Sequence, residues 1–370
     1  MKTRITYLNP LIIFQPSYSR IQNHLLHKYM TPNQKTQGLI SIIIPAYNSG
    51  KFIETTLNNL FAQTYQNFEI IIAYDEKSTD NSLELLQKIS EEHPIIIDIG
   101  KDTSSGTARN RGFKLAKGEY VIFVDADDEI HPQYLETMMN IFKEHPELNM
   151  VCCDYVKVFE DTVNEGWIEA NNSSNTYTMH DREESLYMLL WNEILDAPWL
   201  YLVKREYLLN QKIAFPDYSH GDDSVYVHKI IANSKKIGIS KKKLYLFIQH
   251  PTSITNTVNP LNRWSQYEKS RDDIINYISK IDPIYAEDYL TKRVRAHVYT
   301  SVLLYDCKTF IAEMKKQNIK KLSMLKRHDK LPYQLSVICY SISKRLFYHL
   351  ARFTAGRMKN LTPMGQKLES

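Results

Sequence analysis

The stretch "LISIIIPAYNSGKFIETTLNNLFAQTYQNFEIIIAY", Leu39 to Tyr74, decides the fold. Leu39 to Pro45 is a short, nearly unbroken apolar run rich in Ile, the pattern of a strand buried on both faces. Pro45 ends it, and Asn48 and Gly50 supply turn chemistry. Phe52, Leu57, Leu60 and Phe61 then recur at helical spacing through Lys51 to Gln63, and "FEIIIAY" is a second apolar run of the first kind. Strand, helix and strand in that order make a parallel βαβ unit.

The same alternation continues. Ser82 to Glu92 places Leu83, Leu86 and Ile89 on one helical face, "PIIIDIG" is a third strand, Thr107 to Lys117 a third helix and "GEYVIFV" a fourth strand. The implied fold is an α/β, largely parallel sheet covered by helices on both faces. Such sheets bind ligands at the carboxyl ends of their strands. Beyond His145 the pattern loosens. "MVCCDYVKVF" and "LYLFIQH" read as strands, "PWLYLV" as a strand entry, Ser185 to Trp191 and Ser224 to Ala232 as helices, and Asn171 to Thr178 as a loop. From about Asn262 the pattern is helical and becomes basic, a mostly helical C-terminal extension.

The chain has 370 residues, 43% hydrophobic and 24% charged, with a formal net charge of +4. That balance suits a globular protein and gives no reason to expect nucleic-acid binding. The four cysteines (Cys152, Cys153, Cys307, Cys339) lack metal-ligand spacing and read as reduced thiols of a cytoplasmic protein. No apolar stretch reaches membrane-spanning length, and "ITYLNPLIIF" near the N-terminus does not lead to a cleavage site.

"VDADDEIHP" sets four acidic residues directly after the fourth strand. Residues i and i+2 of an extended strand point the same way, so Asp125 and Asp127 are expected to aim together. Two such carboxylates suit a hard cation, Mn2+ or Mg2+, shared with phosphate oxygens. Asp128 and Glu129 are expected to cap the helix starting near Pro132. The "PAYNSG" turn is too short and glycine-poor for a phosphate-cradling loop of the familiar kinds. Tyr47 could stack on a base or pack inside the turn. Asp75, at the end of the second strand, could accept from a base or a ribose, whereas Asp80 suits an N-cap. Arg109, near a helix start, suits a diphosphate, and Arg111 is equally a surface cation. In "SHGDDSVYVHKI", one of Asp222 and Asp223 suits a general base, while capping of the helix from Ser224 is the plainer role.

"SIIIPAYNSGKFIETTLNNLFAQTYQNFEIII", the Asp75 to Asp80 stretch, "ARNRG" and "GEYVIFVDADD" together resemble the family 2 glycosyltransferases, which have the GT-A nucleotide-sugar-binding fold. The resemblance covers roughly Leu39 to Asn256. It implies transfer of a sugar from a nucleoside diphosphate, usually UDP, to an acceptor hydroxyl with inversion. It would place Pro45, Tyr47, Asp75, Arg109, Asp125 and Ala126 at the nucleotide sugar, with Tyr47 and Asp75 on the base, Asp125 on the ribose and Asp127 on the metal. "GDDSVY" is similar to the family's Gly-Glu-Asp-x-x-Phe segment, which favours Asp223 over Asp222 as base. "FIQHPTSIT" is similar to the closing segment that lies over the diphosphate, making His250 a phosphate or metal contact. Two departures stand out: Tyr74 replaces the first Asp of the second-strand motif, with one extra residue after it, and Tyr201 occurs where a Lys is common.

The expected layout is an N-terminal extension over 1–38, the catalytic domain over 39–256 and a basic helical region over 257–370. In that last region Leu335, Ile338, Ile342, Leu346 and Leu350 recur at helical spacing after a lysine-rich run. Such a helix suits peripheral contact with an anionic membrane near a glycan or lipid-linked acceptor, or docking on the protein itself. Two other functions are alternatives. A nucleotidylyltransferase would want a Gly-rich basic loop after the first strand. A catalytically degenerate protein of the same fold, acting as a binding or membrane-associated partner, has the altered Tyr74 to Lys77 stretch in its favour.

Overall fold

The computed structural model describes residues 13–14, 37–160, 176–250, 267–316 and 343–358. The described residues fall into two compact units, one within Met1–Ser253 and one within Ile254–Ser370.

The first unit is built on a ten-stranded sheet. Its elements are β1 (Ile13–Phe14), β2 (Ile40–Ala46), α1 (Ile53–Phe61), β3 (Phe68–Asp75), α2 (Ser82–Glu92), β4 (Ile95–Gly100), α3 (Ser105–Leu115) and β5 (Tyr120–Phe123). There follow β6 (Glu129–Ile130), α4 (Tyr134–Glu144), β7 (Met150–Phe159), β8 (Tyr177–Asp181) and α5 (Arg182–Trp191). β9 (Tyr201–Lys204), α6 (Arg205–Asn210), α7 (Asp222–Ala232) and β10 (Lys236–Gln249) complete it. The strand order is β1-β4-β3-β2-β5-β9-β7-β10-β6, and β8 pairs β10.

The expected parallel sheet is half of the observed one. β4, β3, β2 and β5 are mutually parallel, with Ile70, Ile71 and Ile72 beside Ile42, Ile43 and Ile44. These isoleucines are essentially inaccessible, as a strand covered on both faces requires. Past β5 the sheet is mixed. β9 runs antiparallel to both β5 and β7, and β10 is parallel to β7 but antiparallel to β6 and β8. β10 begins eight residues before the apolar run "LYLFIQH", because Lys236 to Ser240 pair β8, with Ile237 to Ser240 buried. Tyr177 and Thr178, expected in a loop, open β8, and residues 171–175 of that expected loop lie outside the described residues.

The second unit contains α8 (Glu268–Ile278), α9 (Pro283–Leu304), α10 (Cys307–Lys316) and α11 (Lys344–Met358). Asp282 caps α9 by accepting from the Tyr285 N–H, with Pro283 in the first turn. Phe347, Tyr348 and Ala351 of α11 pack with Val298, Val302, Phe310 and Met314. The Tyr348 hydroxyl and the Arg352 guanidinium donate to the Tyr305 carbonyl, just past the end of α9. One face of α11 is therefore docked on its neighbours. On the other, Leu346 and Leu350 are half exposed. Leu335, Ile338 and Ile342 lie outside the described residues. No described helix is long and apolar enough to cross a membrane.

Candidate active site

The carboxyl ends of β2, β3 and β5, the N-terminal half of α3, the first turn of α7, and the residue after β10 supply the predicted residues. β2 runs one residue further than expected, through Pro45 to a buried Ala46. Beyond it, Tyr47 is 57% exposed, so its ring is not packed inside the turn. Asn48 adopts the left-handed region at φ 48°, accepts from the Thr79 N–H at 2.8 Å and donates its own N–H to the Ser78 hydroxyl. Asp80 accepts from the Gly50 N–H at 2.7 Å and from the Ser82 N–H at 3.2 Å. The N-cap position of α2 is Asn81, so Asp80 joins the first two βα turns as well as serving the helix start. Gly50 is required there, since a Cβ would come within 2.2 Å of Asn81 Oδ1. Asp75 ends β3 and accepts from the Lys77 N–H at 3.0 Å.

Arg111 is not a surface cation. It donates to the Asp98 carbonyl (2.6 Å), the Tyr74 carbonyl (2.9 Å) and the Asp102 carboxylate (2.7 Å), tying the ends of β3 and β4 together. Tyr74, which replaces the family's Asp, is buried, and its backbone carbonyl serves this tie.

Asp125 and Asp127 do not follow strand parity, because β5 ends at Phe123 and both lie in the loop beyond it. Asp125 accepts from Arg109 Nη2 at 2.7 Å, and Arg109 Nη1 donates to Asp223 at 2.6 Å. Arg109 is thus buried between two carboxylates from opposite sides of the site. Burial opposes its charge, but Asp223 and Asp125 more than offset that and hold the guanidinium pKa above its ordinary value. Burial pushes the Asp223 carboxyl up to about 7. Arg109 pulls against that shift, and the Asp222 and Asp125 charges add to it. Asp222 is also raised, by burial foremost. It is the more enclosed of the two at 4% exposure, and its Oδ2 lacks a hydrogen-bond partner among the described residues.

Neither acid is the N-cap of α7. That place belongs to Gly221, in the left-handed region at φ 77°, and both acids lie in the first turn. They are held there by α3. Asn110 donates to the Phe215 carbonyl (2.8 Å) and accepts from the Phe215 N–H (3.0 Å), fixing the segment that leads into α7. Phe215 stacks on Tyr226 with centroids 4.2 Å apart. A Cβ on Gly106 would stand 2.5 Å from Asp222 Oδ2 and 2.9 Å from Phe215 Cβ, so α3 approaches this closely only through a glycine. The sequence reading missed both residues. The signal for Asn110 was its place beside Arg109 on the same helix.

Asp127 turns towards β10. Its Oδ2 is 3.9 Å from His250 Nε2, and the other ring nitrogen of His250 meets Glu160 Oε2 at 2.9 Å. Burial, and then the Asp125 charge, push the Asp127 carboxyl up to about 6. Two ligands of one cation with bonds of about 2.1 Å stand about 3 Å apart when cis and about 4 Å when trans. The Asp127–His250 separation fits that range, and a carboxylate behind the histidine is the usual support for a metal-binding imidazole. Among the described residues no group of three His, Cys, Asp or Glu side chains could hold a cation. Any cation here would take its remaining ligands from phosphate and water, as Mg2+ commonly does.

The expected capping by Asp128 and Glu129 is not observed. The N-cap position of α4 is Gln133, Glu129 lies in β6, and Asp128 is buried against β10. Asp128 accepts from the Tyr245 hydroxyl at 2.8 Å and from the Ile248 N–H at 2.9 Å. Tyr201, where the family often has Lys, is buried and donates to the Leu195 carbonyl.

Residues 41–209 match the Glycosyl transferase family 2 domain. The chain is 30% identical to the uncharacterized glycosyltransferase YibD of Escherichia coli over 67% of this chain and 72% of that protein. It is 27% identical to glycosyltransferase GlyG of Streptococcus pneumoniae, over 65% of this chain and 79% of that protein. Among solved structures, S. aureus TarS 1-349 in complex with UDP-GlcNAc superposes with a TM-score of 0.63 at 19% identity, covering 89% of this chain and 93% of that one. The chain therefore belongs to glycosyl transferase family 2, with the GT-A fold and the activity of a glycosyltransferase.

Proposed function

We propose that the enzyme moves a sugar from a nucleoside diphosphate, UDP, to an acceptor hydroxyl with inversion, in the assembly of a cell-surface polysaccharide or glycoconjugate. The observation that carries this reading is the Asp125–Arg109–Asp223 bridge, which brings the loop after β5 and the first turn of α7 to one site. Relatives named for such pathways support the acceptor class. One is the amylovoran biosynthesis glycosyltransferase AmsB of Erwinia amylovora, 40% identical over 109 residues. Another is the poly(ribitol-phosphate) beta-glucosyltransferase of Bacillus spizizenii, 28% identical, although the match spans 32% of that longer protein. TarS, which shares the fold, was crystallised with UDP-GlcNAc.

In this reading the catalytic domain is 39–256. The exposed Tyr47 ring and Asp75 receive the base, Pro45 and Ala126 line its approach, and Asp125 receives the ribose. Asp223 takes the proton from the acceptor hydroxyl as that oxygen attacks, in a single displacement. A carboxyl held near 7 suits the task, because a base works best when its pKa is near the working pH. Arg109 holds Asp223 in place and keeps enough of it ionised. Asp222, deeper and beside Gly106, positions rather than reacts. A divalent cation, Mn2+ or Mg2+, held by Asp127 and His250, would offset the charge that grows on the departing diphosphate. We place the enzyme at the cytoplasmic face of a membrane, with the basic region over 257–370 in peripheral contact. The half-exposed Leu346 and Leu350, beside the exposed Arg345 on α11, support that placement.

Donor binding and transfer measured separately in two variants test the proposal. Asp127→Asn should lose Mn2+-dependent UDP binding. Asp223→Asn should keep that binding while transfer drops by about 10²-fold or more. UDP binding with Mn2+ at the parent's strength in Asp127→Asn overturns the cation assignment, and parental transfer by Asp223→Asn overturns the base.

A further inference from the structure

The loop from Val124 to Ile130 is held from two sides. From α1, the Thr56 hydroxyl donates to the Ala126 and Asp128 carbonyls, both at 3.0 Å, and Asn59 accepts from the Ile130 N–H at 2.9 Å. From β10, the Tyr245 hydroxyl accepts from the Asp125 N–H at 3.2 Å and donates to Asp128 Oδ2 at 2.8 Å, while the Ile248 N–H donates to Asp128 Oδ1. The Tyr245 ring is fully buried and stacks on Trp199 with centroids 4.1 Å apart and planes 12° apart. A hydroxyl that has one proton and both partners in place has a single way to satisfy the group on either side of it. It bonds to the residues two before and one after Asp127, and His250 stands five residues further on, just past the end of β10.

We infer that Tyr245 is a positioning residue for the cation site: its hydroxyl locks the Asp125–Asp128 loop onto β10 and so sets the Asp127 carboxylate opposite His250. The inference rests on the reading of Asp127 and His250 as cation ligands. Nothing in the sequence marked Tyr245, because the contact spans 117 residues to Asp128 and 120 to Asp125. Tyr245→Phe keeps the ring and its stack but leaves the Asp125 N–H and Asp128 Oδ2 without their common partner. Partners behind metal ligands are worth about 10–100-fold in metal affinity, and a change in that range is expected here.

The test measures Mn2+ dissociation from the full-length protein by the electron paramagnetic resonance signal of free Mn2+, with and without UDP. Tyr245→Phe should weaken Mn2+ binding about 10-fold or more. Its transfer rate should return to near the parent's at saturating Mn2+, a recovery that general loss of folding would not give. Asp128→Asn serves if Tyr245→Phe does not fold. Its amide would face the Tyr245 hydroxyl as a donor, so that hydroxyl could no longer donate to residue 128 while accepting from the Asp125 N–H, and Mn2+ affinity should fall likewise. Parental Mn2+ affinity in the folded variant overturns the inference. Asp127→Asn, measured alongside, separates the two failures. If it loses Mn2+ while Tyr245→Phe does not, only the role of Tyr245 falls. If it binds Mn2+ as the parent does, the cation assignment itself falls.

Discussion

β2 to β5 and β6 to β10 make their parts of the site in different ways. The first group is joined by helices of nine to eleven residues, and every pairing within it is parallel. Its site residues hang from βα turns that are tied locally or to the next turn, as Asp80 is to Gly50, 30 residues away. In the second group pairings are mixed, and its site residues are placed by contacts across 105 to 117 residues: Asn110 to Phe215, Arg109 to Asp223, Tyr245 to Asp128. A turn on the first side can loosen alone. A clamp on the second side holds two segments at once, so its loss should reach both donor and acceptor chemistry.

Arg109→Met should have the largest effect. It strands Asp125 and Asp223 beside each other with no cation between them, and breaking a buried pair costs about 3–5 kcal/mol. Because Asp223 is 39% exposed, water absorbs part of this, and a loss of about 3 kcal/mol in chemical denaturation is expected. Parental stability would mean the two sides of the site are held independently, and the contrast drawn above would break.

The pH profile of transfer is next. With Asp223 at about 7, a protonated carboxyl cannot take the acceptor's proton, so the rate should fall about tenfold for each pH unit below 7. Since Arg109 lowers this pKa, any folded Arg109→Met should show the acid limb moved to higher pH. A limb moved to lower pH, or left in place, would remove Arg109 from control of the base.

Asn110→Ala should come third. It leaves the Phe215 N–H and carbonyl without their partner, at about 1–3 kcal/mol. By shifting the approach to α7 it should lower the turnover rate while UDP affinity stays within about twofold. Asp80→Ala should be mildest, costing about 1 kcal/mol in thermal stability, with its effect on UDP affinity and not on the acceptor step. If Asp80→Ala slowed turnover as much as Asn110→Ala, local and long-range placement would not differ in consequence.

The parallel half of the fold was legible because β2 and β3 are buried on both faces and read as runs of Ile, and β4 and β5 repeat the apolar run at the same spacing. Ser82 to Glu92 was placed to the residue for a similar reason, since one stripe of Leu and Ile covers one sheet face. The carboxylates could be named from their position after strands, but their directions could not. Asp125 and Asp127 were read as a strand pair, yet the strand stops at Phe123, and the loop turns one acid to Arg109 and the other to His250. Asp128 looked like a helix cap because the caps that matter in sequence are local, while its real partners are 117 and 120 residues ahead. Local chemistry is written in neighbouring letters. Long-range clamps are not.

β10 carries a consequence of another kind. Its pairing with β7 is irregular between Ile239 and Tyr245, where the register shifts twice. Before that irregularity the strand serves the pairing with β8; after it, the Tyr245 hydroxyl and the Ile248 N–H meet Asp128, and His250 follows just past the strand's end. Extra residues in one strand of a ladder reset which face the following side chains occupy. The stretch from Ser240 to Leu244 therefore works as a phase adjuster. Removing one residue there would leave the composition nearly unchanged. It would nonetheless move Tyr245 out of register with Asp128. In those five positions the number of residues, more than their identity, sets the register that follows.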